Sequence, residues 1–162
     1  MRRTLPLRAA LSLVAILLVP GTAAADATAF LGSNRTPSDR MVRGFAGGVG
    51  LLVVGFEFEY ATTREDAAKG APQLRTYMVN ALLQTPIPLA GLQFYATAGG
   101  GAFRETLDAV TETNAGMNVG GGVKMSLAGP LRLRLDYRAF TLRGTALHPR
   151  PQRFYAGLNL KF

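Results

Sequence analysis

Apolar and polar side chains alternate one for one over four stretches of this chain. In Leu131-Arg132-Leu133-Arg134-Leu135-Asp136-Tyr137-Arg138-Ala139 every odd position is apolar or aromatic and every even one is charged. A period of two belongs to an extended strand, whose successive side chains point to opposite faces, so this segment is a ribbon with one oily and one ionic face. Val54, Phe56, Phe58 and Tyr60 alternate in the same way with Gly55, Glu57 and Glu59. Met117, Val119, Val123 and Met125 alternate with Asn118, Gly120, Gly122, Lys124 and Ser126. The last segment sets Phe154, Ala156, Leu158, Leu160 and Phe162 against Arg153, Tyr155, Gly157, Asn159 and Lys161. Weaker patterns predict four more strands near 27–33, 42–51, 75–84 and 92–103, each bounded by polar or Pro/Gly-bearing connections.

The connections between these eight strands alternate in character. Those at 34–40, 62–73, 104–114 and 142–151 are polar and longer, whereas those near 51–53, 85–91 and 127–130 are shorter and mostly apolar. Long loops at one end and short turns at the other are the layout of a transmembrane barrel. Glycines recur within strands, in Phe45-Ala46-Gly47-Gly48-Val49, Thr97-Ala98-Gly99-Gly100-Gly101 and Val119-Gly120-Gly121-Gly122-Val123. Because glycine weakens an ordinary strand, this placement points to tight curvature or to a narrow lumen filled by bulky neighbours. Leu51-Leu52-Val53-Val54 must contain a turn, yet it offers no turn residue before Gly55.

No helical period of any length follows residue 26, and no stretch there reaches 18 apolar residues, which excludes a helical membrane bundle. Before it, Arg2, Arg3 and Arg8, an apolar run from Leu11 to Val19 and Ala23-Ala24-Ala25 read as an export signal with its cleavage site. The expected organisation is a cleavable signal peptide, residues 1–25, and one barrel domain, residues 26–162. The 162 residues include no cysteine, which removes disulfide scaffolds, thiolate metal sites and lipid-modified cysteines from consideration. The formal net charge of +8 loses three arginines with the signal and is then only mildly basic. Without basic residues clustered beside groove-reading aromatics, no nucleic-acid partner is expected.

The same alternation fits a soluble barrel with its oily face inside and a membrane barrel with that face outside. Strands of about ten residues match the length needed to cross a bilayer at a tilt, and the export signal delivers the chain to the right compartment. Arginines 132, 134 and 138 then cannot face lipid, where each would cost about 2–4 kcal/mol at mid-depth. They must point into the lumen with Asp136, Glu57 and Glu59, forming an interior charge network of Glu57, Glu59, Arg132, Arg134, Asp136 and Arg138. Such a network is either a polar core that satisfies itself or a narrow, gated conductance whose Arg–Glu pairs exchange partners. Tyr60, Tyr137, Phe154 and Phe162 on the lipid-facing parity would supply the interfacial aromatic girdle.

The C-terminal Arg153-Phe154-Tyr155-Ala156-Gly157-Leu158-Asn159-Leu160-Lys161-Phe162 resembles the assembly signal of bacterial outer-membrane barrels, carried by Tyr155, Gly157, Leu158, Leu160 and Phe162. Asn118 to Lys124 followed by Leu131 to Tyr137 resembles the penultimate hairpin of small barrels of the opacity-protein and OmpA transmembrane-domain type. The resemblance implies an all-β fold, an eight-stranded antiparallel up-and-down transmembrane β-barrel in a Gram-negative outer membrane. It also implies partners: outer-membrane lipid and lipopolysaccharide around a monomer, with the barrel-assembly machinery and periplasmic chaperones during biogenesis. Members of this family differ widely in role, so the fold carries over and the function does not. No peptidoglycan-binding domain is expected after the barrel, and short loops argue against an adhesin built on long ones.

Candidate chemistry is sparse. His148 is the only histidine, and a lipid-modifying enzyme would need it beside a serine and a carboxylate, whereas Ser33, Ser38 and Ser126 lie on other elements. Gly48-Val49-Gly50 lacks the third glycine and following helix of a dinucleotide site. Glu65, Asp66, Glu105, Asp108 and Glu112 follow no calcium-loop spacing and read as solvated loop charge. Arg35, Arg40 and Arg43 cluster around the first loop, where they either bind lipopolysaccharide phosphates or simply solvate it. The expectation is a non-enzymatic barrel without cofactor and with a structural or surface-interaction role. The alternatives are a narrow channel and a soluble lipocalin-like carrier.

Overall fold

The computed structural model describes residues 24–108 and 110–162. Residues 1–23, which carry nearly all of the expected export signal, lie outside the described residues. Eight strands follow one another: β1 (Ala24–Asn34), β2 (Arg40–Leu51), β3 (Val54–Thr63), β4 (Gln73–Gln84), β5 (Leu92–Leu107), β6 (Val110–Ala128), β7 (Leu131–Leu142) and β8 (Gln152–Lys161). Each pairs antiparallel with its neighbour in the chain, and β8 closes onto β1 from Asp26↔Lys161 to Asn34↔Arg153. Closure leaves no sheet edge, which a strand in hydrocarbon requires because no solvent is there to bond its free N–H and C=O groups.

Register partners followed around the wall from Ala24 through Gly50, Gly55, Leu82, Thr97, Gly120, Arg138 and Arg153 return to β1 at Asn34, ten residues further on. This stagger tilts the strands by roughly 35–45° to the barrel axis. One end of the barrel carries loops L1 (35–39), L2 (64–72) and L4 (143–151) and the tip of the β5–β6 hairpin at Asp108. The other end carries the turns 52–53, 85–91 and 129–130.

Alternation sorts the side chains by face. Phe56 and Phe58 are 58% and 45% exposed, while Glu57 and Glu59 on the same strand are 3% and 0% exposed. Leu31, Phe45, Val49, Val79, Phe94, Val119 and Leu158 continue the apolar surface around the wall. An outward oily face of this extent fits lipid and not water. The lipocalin-like alternative, which buries Phe56, Phe58, Leu133 and Leu135 inside, is therefore overturned.

Two elements differ from the sequence reading. The polar stretch 104–114 is not a loop: β5 and β6 run through it, pairing Arg104 with Thr113 and Leu107 with Val110. Its outward positions Arg104, Thr106, Thr111 and Thr113 are polar and hydrogen-bond across the hairpin, Arg104 Nε to Thr113 Oγ1 at 3.2 Å and Thr106 to Thr111 at 3.2 Å. Polar residues on the outward parity erase the period-two signal once the hairpin leaves the bilayer. The turn near 51–54 falls at Leu52-Val53, with Leu51 paired to Val54 and Leu52 held at φ +47°. A leucine in this left-handed conformation is uncommon, which is why residue type did not betray the turn.

Candidate functional site

The inward parity of each strand fills the lumen in layers. At the end carrying the short turns, Asp26, Gln84, Gln93, Lys124, Arg132 and Lys161 line a polar vestibule of ≈ 240 Å³. Lys124 Nζ pairs with Asp26, and Arg132 donates to Gln93 Oε1 at 2.9 Å. Above it lies a belt of charge in which three guanidinium groups meet three carboxylates.

Arg134 and Arg138 both project from β7 and clamp Glu57 of β3 between them. Arg134 reaches Glu57 Oε2 through NH1 and Oε1 through NH2 at 3.2 Å, and Arg138 NH2 reaches Oε1 at 2.8 Å. Asp136, midway between the two arginines on the same face, takes Arg134 NH2 at 3.0 Å and Arg138 Nε at 3.0 Å. Glu59 takes Arg138 NH1 at 3.1 Å and Arg153 NH1 of β8 at 3.0 Å. Two tyrosine hydroxyls complete the network. Tyr95 donates to Asp136 and receives Arg134 Nε at 2.7 Å, and Tyr155 donates to Glu59 Oε2 at 3.2 Å. Every carboxylate oxygen in the belt thus has a donor, and the three positive and three negative charges cancel.

Burial of this kind is costly unless charge and hydrogen bonding are matched. Here the charges cancel and the carboxylate oxygens are all bonded, while Arg138 NH1, ion-paired to Glu59, and Arg153 Nε lack a hydrogen-bond partner. Rings face the cations as well: Arg134 lies 4.9 Å from the Tyr95 centroid and Arg153 4.6 Å from that of Phe140. Small residues opposite make the space. A Cβ at Gly122 would collide with the Tyr95 hydroxyl and the Leu135 carbonyl, so glycine is what lets Tyr95 reach Asp136.

Above the belt apolar side chains enter the lumen, with buried Thr63 and Thr76 among them. Leu74, Met78, Phe103, Phe140 and Leu142 pack as one cluster with Ala146 of L4 against it. Beside them Phe30 stacks on Tyr155 at 4.0 Å, with Val42 and Ala61 completing a second cluster. The loops then tie down the top. Arg40, buried, donates to the Arg64 carbonyl at 3.1 Å, to the Pro72 carbonyl and to the Thr36 carbonyl at 3.2 Å, clamping L1 to L2. The Leu147 N–H donates to Glu105 Oε2 at 3.1 Å, and the Asp108 N–H to Glu65 Oε1 at 3.2 Å. A cavity of ≈ 300 Å³ remains between the loops, lined by Pro72, Glu105, Leu107, Val110, Glu112 and Leu147.

Five of the six residues assigned to the interior network, Glu57, Glu59, Arg134, Asp136 and Arg138, meet in the belt. Arg132 does not: it shares their face but stands one step lower, half-buried in the vestibule on Gln93. Arg153, Tyr95 and Tyr155 are members that sequence reasoning did not assign to the network. Parity already placed Arg153 and Tyr155 on the polar face of β8, whereas Tyr95 sits beside Phe94 in a stretch with two adjacent aromatics and no readable period. In the C-terminal segment, Leu158 and Leu160 face lipid, Tyr155 and Gly157 face the lumen, and the Phe162 N–H donates to the Ala25 carbonyl at 2.8 Å.

Of the first-loop arginines only Arg43 faces outward from the wall, since Arg40 is consumed in the loop clamp and Arg35 lies exposed in L1. His148 Nε2 lies 3.4 Å from the Gly70 carbonyl, and no serine hydroxyl among the described residues bonds to it. No trio of His, Cys, Asp or Glu among those residues is arranged to hold a metal ion.

Comparison with known proteins places this architecture. Neisserial surface protein A superposes with a TM-score of 0.70 at 16% identity, covering 86% of this chain and 97% of that one. The N-terminal β-barrel domain of Pseudomonas aeruginosa OprF gives 0.66 at 15% identity, with 86% and 97% covered. The outer membrane enzyme PagL gives 0.52 at 11% identity, with 83% and 98% covered. At these identities the likeness is one of fold. No curated protein matches the sequence significantly. Residues 12–162 match the family described as the outer membrane protein beta-barrel domain. Eight tilted strands closed into an oily-walled barrel, and a match over most of the sequence, agree: the chain belongs to that outer-membrane β-barrel family.

Proposed function

We propose that this barrel is a non-conducting, non-enzymatic protein of the outer membrane with a structural and surface-interaction role. The observation that carries the reading is the filled lumen. A neutralised ionic belt and an apolar cluster occupy successive layers between the vestibule and the loops. An ion crossing it would have to displace matched Arg–carboxylate pairs and then shed its water against Phe103, Phe140 and Leu142, and both steps are expensive.

With the interior committed to stability, the surface left for interaction is the rim. There the loops are held by Arg40 and by bonds from L4 to β5, so their shape is set in advance of any partner. The small cavity between L2, the β5–β6 hairpin and L4 offers Leu107, Val110 and Leu147 around Glu105 and Glu112. PagL is an enzyme on this fold, so architecture alone does not decide the question of catalysis. The surroundings of His148 favour the non-enzymatic reading, because no nucleophile–base pair forms around it among the described residues.

The test is reconstitution of the folded protein into planar bilayers, together with analysis of lipid A from cells that overproduce it. Silent bilayers and unaltered lipid A are expected. Discrete conductance steps in the wild type would replace this reading with the channel, and modified lipid A lost on His148→Ala would replace it with an enzyme.

A further inference from the structure

The outward face carries an arrangement that neither the filled lumen nor the rim cavity uses. Arg43, Thr62, Arg75 and Arg104 are successive register partners on β2, β3, β4 and β5, so three arginines lie along one row of the wall. Two residues along each of β2, β3 and β4, toward the turn end, lies a second row, Phe45, Tyr60 and Tyr77, whose rings neighbour one another at 5.5 and 5.1 Å. The step between rows is roughly 6–7 Å along the strand. A row of neighbouring aromatics on the lipid face marks the boundary between hydrocarbon and headgroups, which puts the arginines at headgroup depth on the loop side.

Arg75 and Arg104 are paired directly across β4 and β5. Like charges at directly opposed positions repel and destabilise a sheet. No ion pair among the described residues involves Arg43, Arg75 or Arg104, and the one side-chain hydrogen bond, Arg104 to Thr113, brings no negative charge. The Arg43 end of the row opens onto an outward groove of ≈ 700 Å³ over Ala29 and Ala156, walled by Leu31, Phe45 and Leu158. Positive charge without a protein counter-ion, directly above an aromatic step and beside an apolar groove, is complementary to a lipid with phosphate at its head and acyl chains below.

We propose that Arg43, Arg75 and Arg104 form a site on the outer wall for a phosphorylated glycolipid of the outer leaflet, lipid A, whose phosphate bridges Arg75 and Arg104 and whose acyl chains lie on the wall beneath. The site is independent of whether the lumen conducts.

The test uses the full barrel in phosphatidylcholine vesicles containing equal mole fractions of lipid A, of lipid A stripped of its phosphates, or of phosphatidylglycerol. Two quantities are read: lipid retained by native mass spectrometry, and the temperature at which the fast-migrating folded band disappears on gels. Wild-type protein is expected to retain lipid A and to gain thermal resistance from it, and to do neither with the dephosphorylated form. Each arginine removed should weaken retention roughly tenfold, the scale of one charge-assisted hydrogen bond. Arg43→Gln then loses one step and Arg75→Gln/Arg104→Gln two, whereas Arg150→Gln, in L4 and off this row, loses none. In vesicles without lipid A the double variant should match or exceed the wild type in thermal resistance, because a repulsion has been removed. Equal retention of dephosphorylated lipid A or phosphatidylglycerol, or wild-type retention by the double variant, overturns the proposal.

Discussion

Glu57 ties β3 into the belt, accepting, as Asp136 does from within β7, from both Arg134 and Arg138. Replacing it with Gln keeps the shape and removes the charge, leaving three buried guanidinium groups to share Asp136 and Glu59. Removing one partner from a buried ion cluster costs about 3–5 kcal/mol, because the remaining charge stays buried without its counter-ion. Glu57→Gln is therefore expected to lower the stability of the folded barrel by that amount, measured as the urea midpoint of unfolding in vesicles. A loss below about 1 kcal/mol would mean that Asp136 and Glu59 suffice to neutralise the cations. Membership of Glu57 followed from parity alone: a charge between Phe56 and Phe58 has nowhere to go but inward. Parity could not tell how far along the axis a charge sits, and this is why Arg132, on the same face as Arg134, was grouped with a belt it does not join.

At the scale of the element, the first hairpin turn is held by Leu52 at φ +47°. For a side-chain-bearing residue this region costs about 1–2 kcal/mol, and asparagine occupies it more readily than leucine. Leu52→Asn is expected to stabilise the barrel by up to about 1 kcal/mol in the same urea measurement, with no change in the folded band. The last strand is expected to matter for assembly. Phe162 closes the chain next to β1, its N–H on the Ala25 carbonyl, and its side chain is 67% exposed. Deleting it removes little buried surface, so the finished barrel should lose little stability. Outer-membrane insertion in cells should nonetheless slow or fail while export continues, as seen by fractionation. Normal insertion of the truncated chain would show that recognition lies elsewhere on β8. β7 and β8 were readable because their two faces differ sharply in polarity. The outer half of the β5–β6 hairpin was not, because Arg104, Thr106, Thr111 and Thr113 stand in headgroups or water, where no oily face is needed.

At the scale of the whole molecule, the prediction is silence in a planar bilayer. Its physical basis is the order of the layers, polar vestibule, neutral ionic belt, apolar cluster and clamped loops, along a single axis. An eight-stranded wall leaves an interior only wide enough for side chains, so conduction would require these layers to move together. Conductance in the wild type that changed with Glu57→Gln would identify the belt as a gate. The number of strands, their order, the loop end and the face turned to lipid were all legible before any coordinates. They follow from local alternation and from the rule that charge cannot face hydrocarbon. The stagger of ten residues was not legible, and it decides which side chains share a level. That stagger brings Glu57 of β3 to Arg134 and Arg138 of β7, and Arg153 of β8 to Glu59, across the lumen. It depends on the registers of all eight strand pairs at once. Sequence by itself determined which way the side chains point wherever a strand's two faces differ in polarity, because strand periodicity is local. Only the closed tertiary structure decided which of them meet, because register is a cooperative property of the whole barrel.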